Sequence, residues 1–154
     1  MLRTRKRVVI FLAATALALA GARAWADVDV GERLARWALA KDYGRKDVAY
    51  SGPVYRGMTV SDGAVVLSFD HAEGLTTKDG AALTCFTIAG SDRKFVPAKA
   101  EIRGQTVVVS SPEVANPTMV RFGWGEFDQP NLVNGAGLPA GPFRTDGPVL
   151  PSGL

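Results

Sequence analysis

Histidine and cysteine occur once each in the 154 residues, as His71 and Cys85. A zinc site takes three or four nitrogen and sulfur ligands, so one of each cannot supply it. A lone cysteine closes no disulfide within its own chain, and stability has to come from the core. A serine-type nucleophilic system has only His71 to serve as general base. Its neighbour Asp70 points to the opposite face of an extended strand and is badly placed to orient it. No Gly-x-Ser-x-Gly elbow is present, and Ala89-Gly90-Ser91-Asp92 reads as a polar hairpin turn. His71 therefore reads as a structural or loop histidine. Phosphate-cradling loops and dinucleotide fingerprints are absent. Carboxylates are plentiful, yet no spacing singles out a glycosidase-type pair. A spaced calcium-loop pattern is missing too, leaving the loop oxygens around Asp70, Glu73 and Asp79 as the one cation candidate, a weak one. No catalytic residue, no metal and no cofactor is assigned from the sequence.

Positive charge is scarce once its location is considered. The formal balance is +3 with an isoelectric point near 9.2, but the basic residues cluster at the start. Arg3, Arg5, Lys6 and Arg7 precede an apolar run from Val8 to Ala20, and small residues follow, with Ala22-Arg23-Ala24 and Ala24-Trp25-Ala26 both offering a small-x-small pattern. Residues 1–26 read as a secretory signal peptide cleaved before Asp27, because the apolar run is short for a permanent span. Removing it takes away five of the 18 basic residues, leaving 13 against 15 acidic, a balance of −2. That sign removes the case for nucleic acid or an anionic membrane as partner. Contact with a membrane is then expected only through the signal peptide, and the mature chain is expected to be exported, periplasmic or extracellular.

The remaining length suits one domain. Residues 27–44 predict a helix: Val30, Leu34, Trp37 and Ala38 recur on one face, Asp27 or Asp29 caps the start, and Gly44 stands where a left-handed C-terminal residue is wanted. Downstream the period changes to two. Met58 and Val60, a turn at Asp62-Gly63, then Val65, Leu67 and Phe69 predict a β-hairpin. A turn at Asp79-Gly80 leads into a strand from Thr84 to Ile88. The pattern repeats through Phe95-Val96, Ala100 to Ile102, a turn at Gly104-Gln105, and Thr106 to Ser110. Met119 to Trp124 predicts a further strand with Val120, Phe122 and Trp124 on one face and Arg121 on the other. Residues 45–154 thus predict an antiparallel β-sandwich preceded by one amphipathic helix. Its tail from Gly125 is irregular, with one short strand near Phe143. Phe86, Ile88, Val107, Val109 and Phe122 are expected to share the core.

Aromatic side chains offer the remaining chemistry. Tyr55, Phe122 and Trp124 are candidates for a carbohydrate-stacking platform, since a ring face matches the C–H face of a pyranose. The stronger reading for Phe122 and Trp124 is core packing beside Val120.

Particular strings carry more than periodicity. Arg33-Leu34-Ala35-Arg36-Trp37-Ala38-Leu39-Ala40 through Tyr43-Gly44, and Tyr50-Ser51-Gly52-Pro53-Val54-Tyr55, resemble the stretch that follows the catalytic domain of sialate O-acetylesterases of the SGNH hydrolase class. In the same order, Leu67-Ser68-Phe69-Asp70-His71, Phe95-Val96-Pro97-Ala98, Val107 to Pro112, Arg121-Phe122-Gly123-Trp124, Asn131 to Asn134, Gly137 to Ala140 and Pro142-Phe143-Arg144-Thr145-Asp146 resemble that family's C-terminal region. The resemblance implies a β-sandwich module of a carboxylic ester hydrolase acting on acetylated sugars. It assigns no catalytic residue, because the family's nucleophile block and triad histidine match nothing here, and His71 falls in the family's sandwich. The module is therefore expected to be non-catalytic by itself, with an autonomous carbohydrate-binding module as the alternative. In that family the helix joins the catalytic domain to the sandwich. Val30, Leu34 and Trp37 are accordingly expected to remain partly uncovered and to dock a separate SGNH catalytic domain or a second copy of the chain.

Overall fold

The computed structural model describes residues 30–147, so the signal-peptide reading, the capping of the helix by Asp27 or Asp29, and the last seven residues lie outside the described residues. The helix α1 runs Val30–Lys41. Glu32 sits in its first turn and Lys41 in its last, each favourable toward the helix dipole, and Gly44 follows in the left-handed conformation. Among the described residues no helix is long and apolar enough to cross a membrane.

The rest is a sandwich of antiparallel sheets. Strand β1 (Val54–Ser61) turns back into β2 (Ala64–Asp70) through Asp62 and Gly63, whose φ values of 51° and 72° are both positive. A two-residue hairpin of this twist demands that, and Asp-Gly supplies it at least cost. The short strands β3 (Thr76–Thr77), β4 (Phe86–Ala89) and β5 (Val96–Pro97) follow, then β6 (Lys99–Arg103) and β7 (Thr106–Ser110). After β8 (Met119–Phe122) come β9 (Leu132–Val133) and β10 (Phe143–Arg144). One sheet has the order β1-β2-β7-β6, the facing sheet β10-β8-β4-β5, and β3 pairs with β9 beside them.

Burial follows the period of two. Val65, Leu67 and Phe69 of β2, Val107 and Val109 of β7, Phe86 and Ile88 of β4, and Val120 and Phe122 of β8 are buried in one cluster. The core expected from the alternation is the core observed. Burying each of these side chains is worth about 1.5 to 3 kcal/mol, which is what holds a chain without cross-links.

Two strands end differently from their sequence pattern. Cys85 does not belong to β4; it takes φ 63° just before the strand begins. Trp124 does not continue the Val120 and Phe122 face. Gly123, at φ 60°, bends the chain out of the sheet and donates its N–H to the Cys85 carbonyl at 3.0 Å. The alternation stops there, and the indole is released to the surface. The tail also holds more order than its composition suggests, since Leu132, Val133, Leu138 and Ala140 are buried.

Buried asparagines tie this tail down. Asn131 Nδ2 donates to the Ala82 carbonyl at 2.8 Å and to Asp79 Oδ1 at 3.1 Å, while its Oδ1 accepts from the Thr84 N–H. Asn134 Nδ2 donates to the carbonyls of Ser51 and His71 at 2.9 and 3.1 Å, and its Oδ1 accepts from the N–H groups of Ala136 and Leu138. Gly52 passes so close to the tail that a Cβ there would collide with the Pro139 carbonyl, a space only glycine leaves open.

Candidate functional site

The three rings of the expected platform do not form one shelf. Phe122 is 0% exposed, tilted against Phe86 at 4.5 Å and Phe143 at 5.5 Å between ring centroids. It belongs to the core and presents nothing to a ligand. Tyr55 is half-buried, with its ring stacked on Phe143 at 4.8 Å and 6°, so that one face is taken. Burial pushes its phenol pKa up. Trp124 is the member that reaches solvent, 51% exposed.

Around Trp124 lies a cluster that the sequence did not disclose. Arg121, on the outer face of β8, places its guanidinium 3.9 Å from the Phe95 ring centroid and 5.8 Å from that of Trp124. Its Nε and Nη2 donate to the two carboxylate oxygens of Asp146 at 3.1 and 2.6 Å. The Asp146 side chain is only 4% exposed. Hydrogen bonding from Arg121 holds this carboxyl below the ordinary carboxylate range against the opposing effect of burial. Arg144, opposite Arg121 in the β10–β8 register, lies 5.2 Å from the Trp124 ring centroid. A planar fork matched to a carboxylate is among the stronger polar contacts in proteins.

The Asp146 shift fixes the sign of a pH effect. Its folded pKa is depressed, so the stabilisation is fully present above the unfolded value near 4 and is lost as pH falls through the folded value. Other carboxylates are held low by cations in the same direction, Asp47 by Arg45 and Glu101 by Lys99. We therefore expect the unfolding free energy of Asp146→Asn, measured in urea, to lie below that of the parent by about 1 to 3 kcal/mol at neutral pH, the gap closing below about pH 4. A gap that persists undiminished at pH 2 would assign the loss to packing rather than to charge.

The α1 face is the second exposed feature. No residue of α1 is buried, and Val30, Leu34 and Trp37 are each more than half exposed. A helix of 12 residues is marginal by itself in water. The Arg36–Glu32 pair at 2.7 Å supports it from within, and Lys41 Nζ, 4.5 Å from the Tyr50 ring centroid, touches the segment leading into the sandwich.

The third feature is a hollow of about 400 Å³ beside that segment, lined by Lys46, Tyr50, Ser51, His71, Glu73 and Asn134 among others. It gathers a serine, the histidine and a carboxylate, a combination no sequence spacing announced. Their bonds are structural. Ser51 Oγ donates to the Gly52 carbonyl at 2.9 Å, the His71 ring packs edge-on against Tyr50 at 5.2 Å, and no hydrogen bond joins His71 to Ser51 or Glu73. Asp70 is drawn toward Arg56 and Asp79 bonds Ala81 and Asn131. Among the described residues no group of three or more histidine, cysteine or acidic side chains gathers as metal ligands do.

Fold and surface together define a class: an antiparallel β-sandwich with a short uncovered helix at one end and an aromatic and guanidinium cluster on one outer face. The chain matches no protein-family model and no curated protein. It is similar to a solved structure, that of a carbohydrate acetylesterase from Xanthomonas citri, with 45% identity and a TM-score of 0.73 over 77% of this chain. The match covers 28% of the Xanthomonas protein, so the chain corresponds to a little over a quarter of that neighbour's length. Over that stretch the chain is related to a carbohydrate ester hydrolase.

Proposed function

We propose that the chain is an exported accessory β-sandwich of a sialate O-acetylesterase-like enzyme of the SGNH class, acting on acetylated sugars in company with a catalytic domain and inert as a hydrolase by itself. The observation that carries this reading is the partial match: 45% identity confined to 28% of a carbohydrate acetylesterase. The uncovered α1 face, where Val30, Leu34 and Trp37 are exposed, supports a neighbouring catalytic domain. Trp124 at the surface favours a second role for the same module, carbohydrate binding.

The test is an assay of the purified chain on O-acetylated sialic acid and on a chromogenic acetyl ester. No turnover above background is expected, because on this reading the nucleophile and base belong to the catalytic domain, and doing without both costs many orders of magnitude in rate. Turnover abolished by His71→Ala or Ser51→Ala would make the hollow an active site and overturn the proposal.

A further inference from the structure

We propose that the outer face of the β10-β8-β4-β5 sheet holds a subsite for an acidic sugar residue, in which the Trp124 indole stacks on the pyranose and the Arg144 guanidinium receives the sugar carboxylate. It rests on the carbohydrate part of the reading above and adds the place and the ligand class.

The indole is held out on a fixed turn. The Gly125 N–H donates to Asp128 Oδ2 at 2.8 Å, the Asp128 N–H returns to the Gly125 carbonyl at 3.2 Å, and Gly123 is anchored to Cys85. A ring carried on a backbone fixed in this way loses less freedom on stacking than one on a loose loop. Phe127, on the same turn, is 89% exposed and extends the apolar surface.

The two arginines beside the indole differ in what they have left to offer. Asp146 occupies Arg121 through both oxygens, and Phe95 covers its plane, so its charge is already matched and its position set. Arg144 feels Asp146 at longer range but has no carboxylate within ion-pair distance among the described residues. Its guanidinium lies over the indole, 5.2 Å from the ring centroid, and its fork is free for the carboxylate of a sugar that stacks on that ring. The opposite outer face contrasts with this, since Lys99 and Arg103 both pair with Glu101 between them. A neutral sugar would use the indole and leave Arg144 idle; a uronate or a sialate uses both.

The experiment titrates the full chain by isothermal titration calorimetry, with tetragalacturonate against galactotetraose and with sialyllactose against lactose. The acidic member of at least one pair should bind about tenfold or more tightly than its neutral partner, and added salt should erode that advantage. Arg144→Gln should bring the acidic ligand down to the neutral one. Trp124→Ala should abolish both, and Trp124→Phe, which keeps a ring in place, should retain part. The two pairs separate a uronate from a sialate as the source of the carboxylate. Equal binding of acidic and neutral sugars, or an acidic preference untouched by Arg144→Gln, overturns the subsite while leaving a carbohydrate-binding role intact. Binding of neither overturns the subsite and the carbohydrate-binding role together, without bearing on the ester assay.

Discussion

Phe122→Ala should lower stability by about 3 to 5 kcal/mol, the range for deleting a buried phenylalanine. The residue sits on β8, the strand between β4 and β10, and is in register with Phe86 on one side and Phe143 on the other. Its ring touches both, and Phe143 in turn packs on Tyr55 and Phe69, so that one truncation opens a void beneath an aromatic cluster joining the two sheets. Neighbours that are themselves rings on paired strands collapse poorly into such a space. A domain of this size is stable by about 5 to 15 kcal/mol, so the melting temperature should fall by more than about 10 °C. Trp124→Ala, a few residues on but at the surface, should change stability by no more than about 0.5 kcal/mol. Thermal unfolding of the two variants beside the parent checks both. A melting temperature unchanged by Phe122→Ala would refute the core assignment.

The contrast between those neighbouring residues shows where the sequence is legible. Alternation from Val65 to Phe69 and from Thr106 to Ser110, with Asp62-Gly63 between β1 and β2, predicts strands, inward faces and a turn, because each is decided by residues close in sequence. The same alternation wrongly carries Trp124 into the sheet. What breaks it is the φ of Gly123, and a glycine permits such a value without requiring it. The side-chain contacts that join distant parts of the chain are not legible in this way. Arg121 and Asp146 are 25 residues apart, and Asn134 reaches back 83 residues to Ser51. Asparagine in a Gly- and Pro-rich stretch reads as loop, and nothing local distinguishes one that is exposed from one buried with every polar atom satisfied. The hollow beside His71 is partly of the same kind: Glu73 is its near neighbour in sequence, whereas Ser51 is brought beside it where Asn134 of the tail bonds the carbonyls of both Ser51 and His71.

The α1 face was legible for the opposite reason. Its helical spacing is local, and the resemblance to an esterase supplied a reason for it to stay uncovered. Its exposure is a matter of geometry: the two sheets close their core on each other without it, and Lys41 over Tyr50 touches only the segment leading into β1. Burying a leucine and a tryptophan there is worth several kcal/mol to any neighbour that fits.

Asn134 should prove as costly to replace as Phe122, through hydrogen bonds and not through volume. Among the described residues its side chain is the only partner of several backbone groups at once: Nδ2 serves the carbonyls of Ser51 and His71, and Oδ1 serves the N–H groups of Ala136 and Leu138. The residue is 4% exposed, so water replaces it badly. Each buried polar group left without a partner costs about 1 to 3 kcal/mol, and allowing for local relaxation Asn134→Ala should lose about 3 to 5 kcal/mol in total. Asn134→Asp separates the two halves of the network. It keeps an acceptor toward Ala136 and Leu138 but turns a carboxylate oxygen toward two carbonyls, which burial and repulsion both disfavour. Protonation restores a donor there, so the folded pKa of the introduced acid should be raised and its ionisation should destabilise. The sign follows: the variant should be most impaired at neutral pH and recover as pH falls through that raised value, opposite to the behaviour at Asp146. Urea unfolding of Asn134→Asp between pH 7 and pH 4 reads this directly. A variant equally impaired at both ends would mean that the carbonyls of Ser51 and His71 find other donors, and that the tail is held to the sandwich by its apolar residues alone.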